Sequence, residues 1–315
     1  MRISCRTAAI RLRICLKRLI RNGFVMGEAE GLRLLKRHRT KIKHWMHPLA
    51  ACALIAVVLL FIYYEMMFIL PELLDAAGLS YKLHWLLPIF FGFNIFGNML
   101  SCHLRHSKFV PQQQQQLEPA AAALWHLCTH CQVLVPPRAW HCRLCNCCIL
   151  KRDHHCVFTG SCIGHNNQRY FLALLFHLSA SSLVCLIYNV LHIIHHPMWQ
   201  NSQVNAVAMA STLVGMPFDV ETSTEWLVVN SSVIKLNIAA LTLAGVHFTM
   251  QNLFIWRGAT MFTMRDRSYS LGPLRNFRLV LGRRMFWVLL SPTISSPLPH
   301  DGTKWQLASK QLEIA

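Results

Sequence analysis

Acidic residues are scarce in this chain. Its 315 residues hold 13 Asp and Glu against 31 Lys and Arg, and charged residues of both signs make up only 14%. A soluble globular chain carries about a quarter charged residues, so the shortage argues against a water-exposed surface all round. The same figures exclude collagen-like, coiled-coil and disordered chains, and no internal repeat is visible. What is there instead is apolar. Hydrophobic residues make up 54% and mean hydropathy is +0.34. An apolar chain with a formal charge of +18 fits a membrane protein with basic loops. Nucleic-acid binding is the rival explanation of that charge.

Four stretches are long and apolar enough to cross a bilayer core as helices, which takes roughly 20 residues each. They run over about 48–70, 84–104, 170–194 and 233–256, with Trp45, Trp85, Tyr170 and Trp256 near their ends. An amphipathic ring prefers that interface. Residues 204–218 are apolar but short, and read as an interfacial or re-entrant piece. Basic residues alternate with the spans: 13 Lys/Arg in 1–47, one in 71–83, 7 in 105–169, none in 195–232 and 9 in 257–315. By the positive-inside rule the N-terminus, the central loop and the C-terminus are cytosolic. The expected organisation is a basic cytosolic region 1–47, spans one and two in 48–104, a cytosolic loop 105–169, spans three and four with a luminal loop in 170–256, and a cytosolic tail 257–315. Segregation of charge by loop weakens the nucleic-acid reading, which needs one continuous basic surface, so no nucleic-acid partner is expected.

Smaller features follow the same frame. Residues 1–25 are Arg-rich and lack a signal-peptide apolar region; they fit either a surface-lying helix or an unstructured extension, and Met26 offers an alternative start. Gln112 to Gln116 reads as linker. Asn94 and Asn98, the serines of span three, and His247 with Gln251 on one face of span four read as packing groups between helices, with lining of a cavity as the lesser role. Asn230-Ser231-Ser232 is a luminal sequon too close to the membrane to be used.

The central loop changes character. Eight of the thirteen cysteines fall within 128–162. In a reducing cytosol such density favours metal over disulfides. Cys128-x2-Cys131 and Cys142-x2-Cys145 are two-ligand knuckles, and His141, Cys148, His155 and Cys162 bring the candidates to eight. Six thiolates and two imidazoles make two closed Cys₃His sites, the form of structural zinc. The loop is too short and polar to build its own core, so two structural Zn²⁺ must supply much of its folding free energy. Cys147 reads as a bystander. Cys156 ends Asp153-His154-His155-Cys156. A thiol beside an imidazole ionises more easily, and a carboxylate can hold that imidazole in the needed tautomer. Asp153 then orients His154, His154 acts as base and Cys156 attacks. The bland alternative is a zinc-binding interaction module with Cys156 a spare ligand.

At these residues the chain resembles the DHHC-type protein S-acyltransferases (palmitoyltransferases). The resemblance covers the knuckles, Pro136-x-Arg138, His141-Cys142-x2-Cys145-x2-Cys148, Asp153 to Cys156 and Cys162-x-Gly164-x2-Asn167-x-Arg169-x-Phe171. In the tail Tyr269-x2-Gly272-x3-Asn276-x5-Gly282 looks like the family's C-terminal motif, and SYSLGPLRNF with SSPLPHDG suggests the divergent type-24 branch. The resemblance implies an all-α polytopic membrane protein of four transmembrane helices, with a cytosolic zinc-binding domain of short β-hairpins and loops between helices 2 and 3. It implies one zinc at Cys128, Cys131, His141 and Cys148, and the other at Cys142, Cys145, His155 and Cys162. It implies Cys156 as the acyl-accepting nucleophile, activated by His154 and Asp153. Three departures stand out: Phe158 for the usual Trp, Ser161 for the usual Asn, and Gly258-Ala259-Thr260-Met261 in place of a Thr-Thr-x-Glu motif, without its acid.

The expected reaction is two-step and ping-pong. Cys156 takes a long-chain acyl group from palmitoyl-CoA, and a cysteine of a membrane-associated substrate protein then accepts it. A cavity among the spans would hold the chain in membrane lipid. Arg138, Lys151 and Arg152 are candidate partners of the CoA phosphates. Family habit places such proteins in the endoplasmic reticulum or Golgi. The alternatives are a zinc-stabilised membrane adaptor without turnover and, more weakly, a metal-responsive transporter, against which the metal cluster lies in a soluble loop and no paired carboxylates lie at mid-membrane.

Overall fold

A computed structural model describes residues 46–111, 124–195 and 224–308. Residues 1–25, the Gln run and the 204–218 segment lie outside them. Residues 51–315 form one compact unit, which holds all four spans apart from the first turn of α1.

Long apolar runs without Gly-Pro breaks become helices, and four of these are long and apolar enough to cross a membrane: α1 (Met46–Leu73), α2 (Leu79–Leu104), α3 (Gln168–His195) and the Val229–Trp256 part of α4 (Thr224–Trp256). Each is somewhat longer than the apolar run that announces it. Helical hydrogen bonding continues through polar residues such as Tyr81 and Lys82 that an apolarity criterion trims away. α2 has a break at Trp85, between Leu79–His84 and Leu86–Leu104. α1 relaxes into a π turn over Glu65–Ile69. Side-chain amides in the spans bond to the helix itself or to a neighbour. Asn94 Nδ2 donates to Phe90 O at 3.0 Å and Asn98 Nδ2 to Asn94 O at 2.8 Å. Tyr64 Oη donates to Asn230 Oδ1 at 2.9 Å, so the sequon asparagine is buried in the bundle.

Between α2 and α3 lie six three-residue strands in three antiparallel hairpins: β1 (His126–Cys128) with β2 (Val133–Val135), β3 (Trp140–Cys142) with β4 (Cys147–Ile149), and β5 (His154–Cys156) with β6 (Ser161–Ile163). Isolated hairpins of this length are not stable alone. One apolar cluster, around Val135, Ala139 and Leu150, supports the first. After α4, helix α5 (Pro273–Leu281) packs Val280 and Leu281 against Leu172 and Ile255 of the spans.

One asparagine ties the hairpins to the bundle. Asn167 Nδ2 donates to Cys102 O at 3.0 Å and to Cys162 O at 2.9 Å, while its Oδ1 accepts from Gly164 N at 2.8 Å. The end of α2, β6 and the start of α3 thus meet at one side chain. Gly164 is needed there because a Cβ would lie 2.5 Å from Leu150 O. We expect Asn167→Ala to take the side-chain partner from Cys162 O and Gly164 N, at about 1–3 kcal/mol each, and to leave Cys102 O with Ser161 Oγ alone. The expected result is loss of monodisperse protein in detergent size exclusion. Asn167→Asp, which lacks both donated bonds, should fare little better. A wild-type profile and melting temperature for either variant would contradict this role.

Candidate active site

Successive side chains of a strand point to opposite faces. On β5 that places His154 and Cys156 on one face and His155 on the other. The ladders do the rest. His155 pairs across the hairpin with Cys162, and His141 with Cys148. Cys142 follows His141 on β3 and so serves the opposite side. The Cys-x2-Cys turns close through Gln132 and Asn146, both with positive φ.

Two groups of ligand atoms result: Cys128, Cys131, His141 and Cys148, and separately Cys142, Cys145, His155 and Cys162, all within 4.8 Å of one another in each group. In the first, Cys131 Sγ lies 3.3 Å from His141 Nδ1 and 3.7 Å from Cys148 Sγ. In the second, His155 Nδ1 lies 3.2, 3.7 and 3.5 Å from Cys145, Cys142 and Cys162, and the sulfurs of Cys145 and Cys162 are 3.5 Å apart. A tetrahedral zinc with Zn–S near 2.3 Å requires sulfur pairs roughly 3.8 Å apart, so both cradles fit the ion. Cys147 and Cys156 belong to neither group.

Asp153 precedes β5 and is almost wholly enclosed, at 1% exposure. Its Oδ2 accepts from His154 Nδ1 at 2.7 Å and from Gln251 Nε2 at 2.7 Å, and its Oδ1 accepts from Met261 N at 2.8 Å. Burial alone would raise this carboxyl, but the bond and charge of His154 and the Met261 and Gln251 donors bring it below its ordinary value. Burial would lower His154, yet Asp153 and the Cys156 sulfur push it up to about 9. Burial would raise the Cys156 thiol, and the hydrogen bond and charge of His154, with Thr159, bring it below the usual thiol value. The ring of Phe171 meets His154 edge-on at 4.7 Å and fixes the imidazole from α3. Cys156 itself packs with Val58, Ile95, Cys102 and Phe171. An apolar cavity lined by Leu54, Val58, Ile62, Phe91 and Ile95 among others lies between α1, α2 and α3 and shares Val58 and Ile95 with that cluster.

The three basic candidates are all engaged by the fold. Arg138 is 7% exposed: its Nη2 donates to Gly258 O at 2.7 Å, and its guanidinium lies between the rings of Tyr269 and Trp305, at 5.1 and 4.5 Å. Lys151 is 4% exposed and also faces Trp305. Both side chains are enclosed by the chain around them. Arg152 is half-buried, with Nη1 donating to His141 O at 2.8 Å and its guanidinium over Phe262. It too is held by the fold. Gln251 does more than pack helices, since it bonds Asp153 and accepts from Gln168. His247, a turn earlier, is exposed and bonds only its own helix. A polar side chain one turn from the loop end of a span was the signal; which partner it meets depends on the fold of residues 257–261. There the backbone N–H of Met261 seats Asp153, so the acid missing from this segment is not part of that seat. Ser161 Oγ donates to Cys102 O at 2.9 Å, and Phe158 is exposed.

Residues 123–268 match the family model described as DHHC palmitoyltransferase. Over 195 residues, 58% of this chain and 64% of the relative, the chain is 32% identical to "Probable palmitoyltransferase ZDHHC24" of Homo sapiens. It is 47% identical over 60 residues to "Palmitoyltransferase ERF2" of Candida glabrata, covering 19% of this chain and 18% of the relative. With "Palmitoyltransferase ZDHHC3" of Homo sapiens it shares 39% over 80 residues, or 25% and 26% of the two chains. The match thus spans just under two thirds of the ZDHHC24 relative's length. Taken with the hairpins that sort the cysteines and histidines into two cradles, these matches liken residues 123–268 of the chain to DHHC palmitoyltransferases.

Proposed function

We propose that this protein is a membrane protein S-palmitoyltransferase, with Cys156 as nucleophile, His154 as base and Asp153 as the group that orients it. One observation carries the reading. Cys156 lies outside both metal cradles, on the His154 face of β5, in an apolar cluster whose Val58 and Ile95 also line the cavity of the spans. In the first step the Cys156 thiolate attacks the thioester carbonyl of palmitoyl-CoA. The C–S bond to CoA breaks, and the CoA sulfur takes its proton from the His154 imidazolium. In the second step His154 removes the proton of a substrate cysteine, whose sulfur displaces Cys156. Both steps exchange one thioester for another, so activation and positioning are all the enzyme must supply. At about 0.8 kcal/mol per buried CH₂, a sixteen-carbon chain gains on the order of 10 kcal/mol in the cavity.

Cys128, Cys131, His141 and Cys148 would hold one Zn²⁺, and Cys142, Cys145, His155 and Cys162 the other. Zinc would supply folding free energy and no bond-making. The partners are membrane lipid, acyl-CoA and cysteine-containing membrane-associated proteins. The alternation of basic residues supports a cytosolic hairpin domain with both termini on that side, and the family resemblance supports the endoplasmic reticulum or Golgi.

Purified protein incubated with labelled palmitoyl-CoA should retain a hydroxylamine-sensitive label that disappears in Cys156→Ser. Well-folded, zinc-loaded wild type that takes up no label would instead favour an adaptor without turnover. Metal analysis should give two zinc per chain in wild type and Cys156→Ser alike. Cys128→Ala or Cys142→Ala should misfold; equal loss of zinc in Cys156→Ser would make that sulfur a ligand. Gln251→Leu removes one of three bonds to Asp153. We expect single-turnover acylation about 10–100-fold slower, the size of a net charged hydrogen bond of about 1.5–3 kcal/mol. Zinc content and the acyl-CoA concentration for half-saturation should not change. An unchanged acylation rate would deny Gln251 a positioning role.

A further inference from the structure

The chain beyond α5 does not stay on the loop side of the bundle. After Gly282 it forms a 3₁₀ turn over Met285–Leu289 and continues to Pro292. Leu289 O lies 2.6 Å from His177 Nε2 on α3. His177 is nine residues past Gln168, where α3 begins, which is about 13 Å along the axis at 1.5 Å per residue. Pro292 packs on Gly97 of α2, its Cγ only 2.7 Å from where a Cβ would stand. Gly97 is seven residues before the end of α2 at Leu104, about 10 Å in. Half the hydrocarbon core of a bilayer is roughly 15 Å. The turn therefore reaches deep into the layer that the two spans cross.

Non-helical backbone at such depth survives only where protein satisfies its polar groups. His177 does this for Leu289 O, which gives a wholly buried histidine in a span its reason. The inner side of the turn is Val288, packed with Leu172, Ile255 and Leu281. The outer side is apolar and uncovered: Phe286 is 54% exposed, Trp287 69% and Leu290 48%. Charge changes sharply just before it. Between Asp266 and Asp301 there are five arginines and no acidic residue, and Arg283 and Arg284 immediately precede the turn, both exposed. Arginine beside aromatic residues is the pattern of a segment crossing from headgroups into acyl chains.

We propose that Met285–Pro292 is a membrane-embedded turn, covered on its outer face by the acyl chains of the leaflet on the hairpin side, with Arg283 and Arg284 at the level of the lipid phosphates. The depth of its contacts on α2 and α3 selects lipid over a soluble partner. The inference does not depend on acyl transfer.

The test uses the full chain reconstituted into phosphatidylcholine–phosphatidylserine vesicles. With Trp287→p-benzoylphenylalanine, irradiation and peptide mass spectrometry should find lipid adducts at position 287. Leu100→p-benzoylphenylalanine on α2 should give them too, and Leu134→p-benzoylphenylalanine on β2 should not. Should the Trp287 variant fail to fold, Phe286→p-benzoylphenylalanine replaces it. Unmodified protein gives a second reading: hydroxyl-radical oxidation of Trp287 should be at least tenfold slower than its intrinsic reactivity and exposure imply, scaled to His130. Lipid adducts at 100 but not at 287 or 286, cross-links at 287 to a second copy of the chain, or free oxidation of Trp287 would each overturn the proposal.

Discussion

A strand of three residues has two faces, and the local chemistry depends on that alternation. His154 and His155 are neighbours in sequence yet must serve different partners. On β5 the pleat sends them apart, and it returns Cys156 to the side of His154. The same parity operates on β3, where His141 and Cys142 enter different cradles. A helix would spread these three side chains by about 100° each and separate the imidazole from the thiol. A slip of one residue in the β5–β6 register would exchange the His155 face for the face of His154 and Cys156. An ion held by facing residues such as His155 and Cys162 would forbid that slip.

Asp153 extends the constraint into the bundle. A carboxylate with 1% exposure is costly to bury unless donors surround it. Two of its three donors come from elsewhere in the chain, Gln251 on α4 and the Met261 N–H just beyond it. The imidazole thus rests on a carboxylate whose seat exists only when span four is packed beside the hairpins. Gly258 helps to set that seat: its φ of +67° turns the chain, and its carbonyl takes the Arg138 guanidinium.

Much of this was legible in the sequence because the signals are local. Apolar runs of sufficient length announced the four spans, and short Cys and His spacings announced eight ligands and left Cys156 unclaimed. Their partition into two sites was not local; it follows from strand parity, which no spacing states, and the family resemblance had to supply it. Burial was the part that the sequence did not announce. A lone Arg or Lys near a nucleophile reads as a phosphate partner because basic side chains are seldom buried. Arg138 and Lys151 are buried because residues some 120 to 170 positions later, Gly258, Tyr269 and Trp305, come to cover them. Gln251 was visible as a polar residue in a span, but its partner was not.

The hairpin domain and the spans are therefore not separable in function. The cavity and the thiol share Val58 and Ile95, and Asn167 fixes the end of α2 to β6. The His154 imidazole is held by the β5–β6 hairpin, by Phe171 of α3 and through Asp153 by α4. Each contact alone is modest, of the order of a kilocalorie per mole. Their convergence on one imidazole is what distinguishes a poised thiol from a spare ligand. It also explains how this chain can lack the acid after span four, because the aspartate is seated by a backbone amide that any residue at position 261 except proline can provide.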